Sequence, residues 1–302
     1  MVGWEDGRGR KSMNTLKGYY LGCPIWGNKD WVGELFTRDA KPKDFLAQYT
    51  SVFNTVEGNT TFYGLPSEAT IARWHQDTPE GFRFAFKFSQ AISHDKRLSN
   101  AEPETVLFLE MLDTLSKRTG PAFLQLPASF GPSDLPTLDG YLAALPETHA
   151  YAVEVRHDIF YTQAEAALDI VLRKHSVDRV VFDTRGLHAA HSGTPREREA
   201  QRKKPNVPVR FTATGQHPFV RFIGHPEVEE NFPLLAEWAQ VVAGWMREGR
   251  TPYFFLHAPD DFYAPHLARH FHALLSEHID AGQLPSWPIE QQDPEPEQMS
   301  LF

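Results

Sequence analysis

Two hydrophobic periods alternate along the chain. Short β-type runs occur at Tyr19–Cys23, Val52–Glu57, Phe82–Phe88, Ala122–Leu126, Ala150–Arg156, Arg179–Asp183, Phe219–Ile223 and Tyr253–His257. Between them the apolar positions recur at three- and four-residue intervals, the spacing that places side chains on one face of a helix. Leu234, Leu235, Trp238, Val241, Val242 and Trp245 form one such stripe, and Leu267, Phe271, Leu274 and Leu275 another. Pro42, Pro66, Pro103 and Pro233 stand near expected helix starts, where a missing N–H costs little. Eight strand–helix alternations point to a parallel sheet, and eight is the number that closes a barrel. The expected fold is α/β, a (β/α)8 barrel forming one domain over residues 18–282. An open doubly wound sheet is the competing topology, and no Gly-rich phosphate turn follows the first strand to support it.

Length and charge narrow the picture. At 302 residues the chain would suit two average domains, but a barrel of about 250 residues fits as one. Thirty basic against thirty-nine acidic residues give a net charge of −9, which disfavours a broad nucleic-acid face and leaves room for a local basic patch. Cys23, the single cysteine, has no internal partner, and with no apolar run of membrane-span length and no signal-peptide core it points to a cytoplasmic protein without membrane contact. Cys23 itself reads as a small buried hydrophobe.

Three segments break the alternation. Residues 1–17 carry no hydrophobic period and read as a disordered extension. The connection over residues 186–217 is unusually long, and Arg196–Arg210 within it holds six basic and two acidic residues, as a solvated insertion or a functional loop. Residues 283–302 are Pro- and Glu-rich and read as a disordered tail.

In a barrel, chemistry belongs at the C-terminal ends of the strands. Those ends carry Glu57, Asn59, Lys87, Gln125, Glu154, Arg156, Asp183, Arg221 and His257. Alternation gives Glu154 and Arg156 one face, and sets Arg83, Ala85 and Lys87 opposite Phe82, Phe84 and Phe86. Three acids and three bases would then converge on the mouth and pair with one another whatever the function. A salt-bridge network is the bland outcome. A site is the sharper one, because five of eight strands end in a charged residue and one more ends in His257. His94, His157, His225 and His257 are candidate nitrogen ligands for a divalent ion, but three cations in the same mouth disfavour one. An anionic substrate gripped by Arg156 and Arg221, with Glu57 or Glu154 as acid or base, fits the charges better. Lys87 is also a candidate for a Schiff base. Trp26, Trp31, Phe62 and Tyr63 near the same ends form an apolar wall or cap the core.

The stretches GCPIWGNKDWVG at 22–33, VEGNTTFYGLP at 56–66, FRFAFKFSQAISH at 82–94, LQLPASFGP at 124–132, YAVEVRH at 151–157 and FVRFIG at 219–224 resemble the YecE-like family, domain of unknown function 72. The resemblance runs from about Gly18 to about His278. It implies a TIM-type barrel whose common pocket is lined by Glu57, Asn59, Tyr63, Lys87, His94, Gln125, Glu154, Arg156 and Arg221. Gly58 departs from it, standing where a bulky aliphatic is usual, and so does His257, where many members have Asn.

Three functions follow as expectations. The first is an enzyme acting on an anionic, phosphate-bearing substrate, with Glu57, Lys87, Glu154 and Asp183 catalytic and Asn59, Tyr63, His94, Gln125, Arg156, Arg221 and His257 binding substrate. The second is a DNA-repair or replication accessory or nuclease, with Arg196–Arg210 contacting a nucleic-acid backbone. The third is a ligand-binding scaffold without turnover. The sequence Gln298-Met299-Ser300-Leu301-Phe302 also resembles the peptide by which bacterial proteins dock on the DNA sliding clamp, with Gln298, Leu301 and Phe302 as the contact residues.

Overall fold

A computed structural model describes residues 15–191 and 193–292. All eight expected strands are present: β1 Tyr20–Gly22, β2 Thr55–Gly58, β3 Arg83–Phe86, β4 Ala122–Gln125, β5 Tyr151–Glu154, β6 Asp178–Asp183, β7 Phe219–Ile223 and β8 Tyr253–His257. The intervening helices are α1 Phe45–Thr50, α2 Glu68–Asp77, α3 Glu102–Leu115, α4 Leu135–Ala144, α5 Glu165–Lys174, α6 Arg185–Ala189, α7 Pro195–Lys203, α8 Phe232–Arg247 and α9 Ala264–Ser276. Pro103 and Pro233 occupy the first turns of α3 and α8, where proline's fixed φ suits the helix. Ser67 caps α2 through the Thr70 amide, which puts Pro66 just before the cap rather than inside the helix.

The strands pair in parallel but not as one closed ladder. β1-β8-β7-β6-β5-β4 form a curled six-stranded sheet, and β2-β3 a separate pair. The expected α/β class stands with a curled parallel sheet, and the ladder falls short of the full eight-stranded ring. Its physical reason lies in side chains that take ladder positions between β1 and β2. Asn54 accepts from the Leu21 amide at 2.7 Å and donates to the Tyr19 carbonyl at 2.9 Å. The Tyr49 hydroxyl accepts from the Cys23 amide and donates to the Thr55 carbonyl. Buried backbone groups must find partners, and these have found side chains instead of the neighbouring strand. Between β3 and β4 only two bridges remain, Phe84 with Thr119 and Lys87 with Phe123.

Two apolar layers follow from the strand alternation. Ala85, Phe123, Ala152, Val180, Phe219, Tyr253 and Phe255 pack together inside the curl. Their neighbours on the opposite face, such as Phe84, Leu124, Val153, Val181, Val220 and Phe254, join the larger core under the helices. The α8 stripe behaves as its spacing predicts: Leu235, Trp238, Val242 and Trp245 are buried.

The flanking segments are corrected in part. Leu16 bridges Gly282, and the Lys17 amide donates to the Ala281 carbonyl, so residues 15–17 belong to the folded body. Residues 283–292 pack as well. Trp287 is buried, Arg269 stacks on its ring at 3.6 Å, and Arg269 also pairs with Glu290. The long connection after β6 is not featureless: it carries α6 and α7, with Thr194 capping α7 through the Glu197 amide.

Candidate functional site

The polar mouth is dictated by the period of the strands. Lys87, Gln125, Glu154, Arg221 and His257 each stand two residues after a member of the inner apolar layer, so they point to the same interior one step higher. Glu57 on β2 completes the ring.

Arg221 organises it. Its Nε and Nη2 donate to the two oxygens of Glu57 at 2.8 and 2.6 Å, a bidentate pair, and its Nη1 donates to Glu154. Arg156 Nε binds the other oxygen of Glu154. His257 Nε2 lies 3.1 Å from Glu57 Oε2, and Asn59 Nδ2 donates to Glu57 Oε1 at 2.7 Å. Both guanidinium groups lie against the Phe182 ring, at 4.2 Å for Arg156 and 5.5 Å for Arg221. Glu57 and Glu154 are fully buried. Burial by itself would push their carboxyls up, but their neighbours outweigh it: Arg221 and His257 hold Glu57 well below the usual range, and Arg156 and Arg221 hold Glu154 below it. Arg221 is held above its ordinary value despite burial, by Glu154 and Glu57.

Lys87 is the exception in this network. Its Nζ donates 2.9 Å to the neutral Gln125 Oε1 and stands 3.9 Å from the centre of the Phe62 ring, with no carboxylate in ion-pair contact among the described residues. Burial, with the charge of Arg221, pushes it down to about 8. His94 stands edge-on to the same Phe62 ring, and burial and Lys87 push its imidazole down too.

Above the network lies a cavity of about 240 Å³. Asn59, Lys87, Arg221 and His257 form its polar floor, and Pro24, Ile25, Phe62 and Tyr63 its apolar side. Lys204 and Asp261 complete the lining, and the sequence reading missed both. Lys204 comes from the basic insertion, just past α7, and among the described residues it is the cation of that segment that lines the cavity. The signal was present as charge density; which lysine turned inward was not legible. Burial pushes Lys204 down and Asp261 up. Asp261 has φ 60°, a left-handed conformation uncommon outside glycine, and its side chain accepts from the Ala258 amide.

Other expected site residues fall elsewhere. Asp183 sits one residue out of phase with the inner face. It points toward α8, where Trp238 Nε1 donates to it at 2.7 Å and Arg185 pairs with it at 2.8 Å. It does not line the cavity. Arg156, Gln125 and Glu154 are not among the residues that line this cavity. Trp31 is core, Trp26 packs on Trp74 and Phe84, and Tyr63 is the exposed member of that aromatic group, at 85%. Cys23 is buried, and burial pushes its thiol well up. Among the described residues no three His, Cys, Asp or Glu side chains gather as a metal-holding group. Gln298, Leu301 and Phe302 lie outside the described residues.

Comparison with known proteins fits this architecture. The family described as a protein of unknown function, DUF72, matches residues 20–292. The chain belongs to the DUF72 family. A curated relative, the UPF0759 protein YecE of Escherichia coli (strain K12), is 41% identical over 250 residues, covering 82% of this chain and 89% of that protein. A DUF72 family protein from Thermotoga maritima MSB8 has a similar fold, with a TM-score of 0.67 at 23% identity, covering 85% of this chain and 99% of the other. One from Enterococcus faecalis V583 gives 0.65 at 19% identity, over 89% and 98%. The DUF72 segment thus spans all eight strands and every cavity residue named above. No described helix in it is long and apolar enough to cross a membrane.

Proposed function

We propose that this DUF72 protein is an enzyme that binds a small phosphate- or carboxylate-bearing substrate in the cavity above Glu57 and Arg221. The observation that carries the reading is the division of labour among the cations. Arg221 and Arg156 are consumed by Glu57 and Glu154, whereas Lys87 and Lys204 face the cavity without a carboxylate in hydrogen-bond contact among the described residues. The gripping role first given to the arginines therefore passes to the lysines. Glu57 and Glu154, ionised and enclosed, act as positioning residues, while Lys87, with His94 and Asp261, supplies groups for proton transfer. We also propose that the two sheets together close one barrel, with Asn54 and Tyr49 making the junction between β1 and β2.

A nucleic-acid substrate is less well supported. In the basic insertion Lys203 pairs with Glu199 and Arg210 with Glu165, and Lys204 turns inward, which leaves less charge for a phosphate backbone. A scaffold without turnover would need the same cavity, and a metabolite turnover screen separates it from an enzyme.

Inorganic phosphate is the direct probe. Thermal unfolding of the full chain should show a concentration-dependent stabilisation, about 2.7 kcal/mol at a hundredfold excess over Kd. Lys204→Ala should weaken it at least tenfold. Absence of any phosphate or sulfate effect on the unsubstituted protein overturns the reading.

A further inference from the structure

We propose that Lys87 Nζ forms an imine with the carbonyl carbon of the bound anion, so that the substrate class is a small aldehyde or ketone carrying a phosphate or carboxylate. The inference rests on the anion-binding reading and adds a covalent step to it.

A lysine buried beside two carboxylates ordinarily pairs with one of them. Here Arg221 occupies both oxygens of Glu57, and Glu154 is shared between Arg221 and Arg156. What remains for Lys87 is the neutral Gln125 carbonyl on one side and the Phe62 ring on the other. The Ile25 and Phe62 side of the cavity offers apolar surface to a reacting carbonyl, and Lys204 offers an anchor for its anionic end. The charged and titratable groups acting on the amine are Arg221 and Arg156, which favour its neutral form, Glu57 and Glu154, which oppose it, and the adjacent His94. With the amine pushed down to about 8, roughly a quarter of it is neutral at pH 7.5, against about one part in a thousand for an ordinary lysine.

The step balances without a further reactant. The amine lone pair attacks the carbonyl carbon, and the C=O pair moves to oxygen, which takes up the ammonium proton through solvent. The C–O bond then breaks as the nitrogen lone pair forms C=N, and the hydroxyl leaves as water with a proton from a cavity acid such as Asp261. The resulting iminium is an electron sink for bond cleavage next to the former carbonyl.

The full-length protein is incubated with sodium cyanoborohydride and glyoxylate, pyruvate or dihydroxyacetone phosphate, then analysed by intact mass and peptide mapping. The expected product gains one probe less one oxygen atom on the peptide carrying Lys87. At pH 7.5 labelling of Lys87 should exceed that of a surface lysine on the order of a hundredfold. It should rise through pH 8, fall at least tenfold with excess phosphate, and vanish in Lys87→Arg. Lys87→Met, checked for native circular dichroism, guards against loss through misfolding. Phosphate binding is measured by calorimetry on the same samples. If phosphate binds but no probe labels Lys87 above the surface lysines, the imine is overturned and the anion site survives. If phosphate does not bind either, both fall.

Discussion

Arg221 shows how much one residue can settle. Its three hydrogen bonds bind two fully buried carboxylates that would otherwise be costly to enclose, and Arg156 supplies the second positive charge. Replacing it by Met should therefore cost about 3–5 kcal/mol at pH 7, the usual penalty for stranding buried charge. Glu57 is held well below its ordinary value in the folded state, so its pairing contributes stability above the unfolded carboxylate value and loses it as pH falls through the depressed one. In Arg221→Met that depression is reduced, and the difference from the unsubstituted protein should shrink below about pH 4.5. Urea unfolding at pH 7 and pH 4 measures both; an equal penalty at the two values would refute the assignment. Gly58 is a second residue-scale determinant. A Cβ there would stand 2.4 Å from the Phe86 ring, so the aromatic leaves no room for a side chain at this position.

At the scale of elements, the sequence periods were sufficient for the strands and insufficient for their closure. All eight runs became strands because alternation and burial on two faces act locally. The β1–β2 junction depended on Tyr49, from the helix before β2, and on Asn54, and nothing in either residue's neighbourhood announces a backbone-bridging role. Tyr49→Phe should leave the Cys23 amide and the Thr55 carbonyl short of a partner and cost about 1–3 kcal/mol. Chemical denaturation gives the value, and a change below about 0.5 kcal/mol would mean the strands re-pair directly. The basic insertion was legible as an anomaly, a solvated insertion or a functional loop. Its organisation into α6 and α7, with Lys204 directed at the cavity, was not. Asp183 was lost for a related reason: the last residue of a strand reaches the mouth only when its phase is right, and Arg185 and Trp238 claim it on the outer face.

For the whole molecule, the folded body extends past the expected boundary because Trp287, Arg269 and Glu290 lock residues 283–292 against α9. Beyond them the clamp-like sequence Gln298–Phe302 is a separate proposal that leaves the cavity reading untouched. A peptide of residues 290–302 should bind the DNA sliding clamp at about micromolar strength, about −8 kcal/mol. Double replacement of Leu301 and Phe302 by Ala should abolish the binding. Fluorescence anisotropy decides it, and identical behaviour of the two peptides removes the DNA-linked reading.

By itself the sequence determined the α/β alternation, the eight parallel strands, the inner and outer faces of each and the identity of most residues at the mouth. These follow from backbone periodicity and from the preference of each side chain for water or core, which neighbouring residues suffice to express. Only the tertiary structure decided which acid met which base. Arg221 lies 164 positions from Glu57 and 67 from Glu154, and no local pattern can choose between Arg156, Arg221 and Lys87 for those carboxylates. The choice falls to distance and desolvation in the assembled mouth, where a bidentate guanidinium outcompetes an ammonium for an enclosed carboxylate and leaves Lys87 facing the cavity.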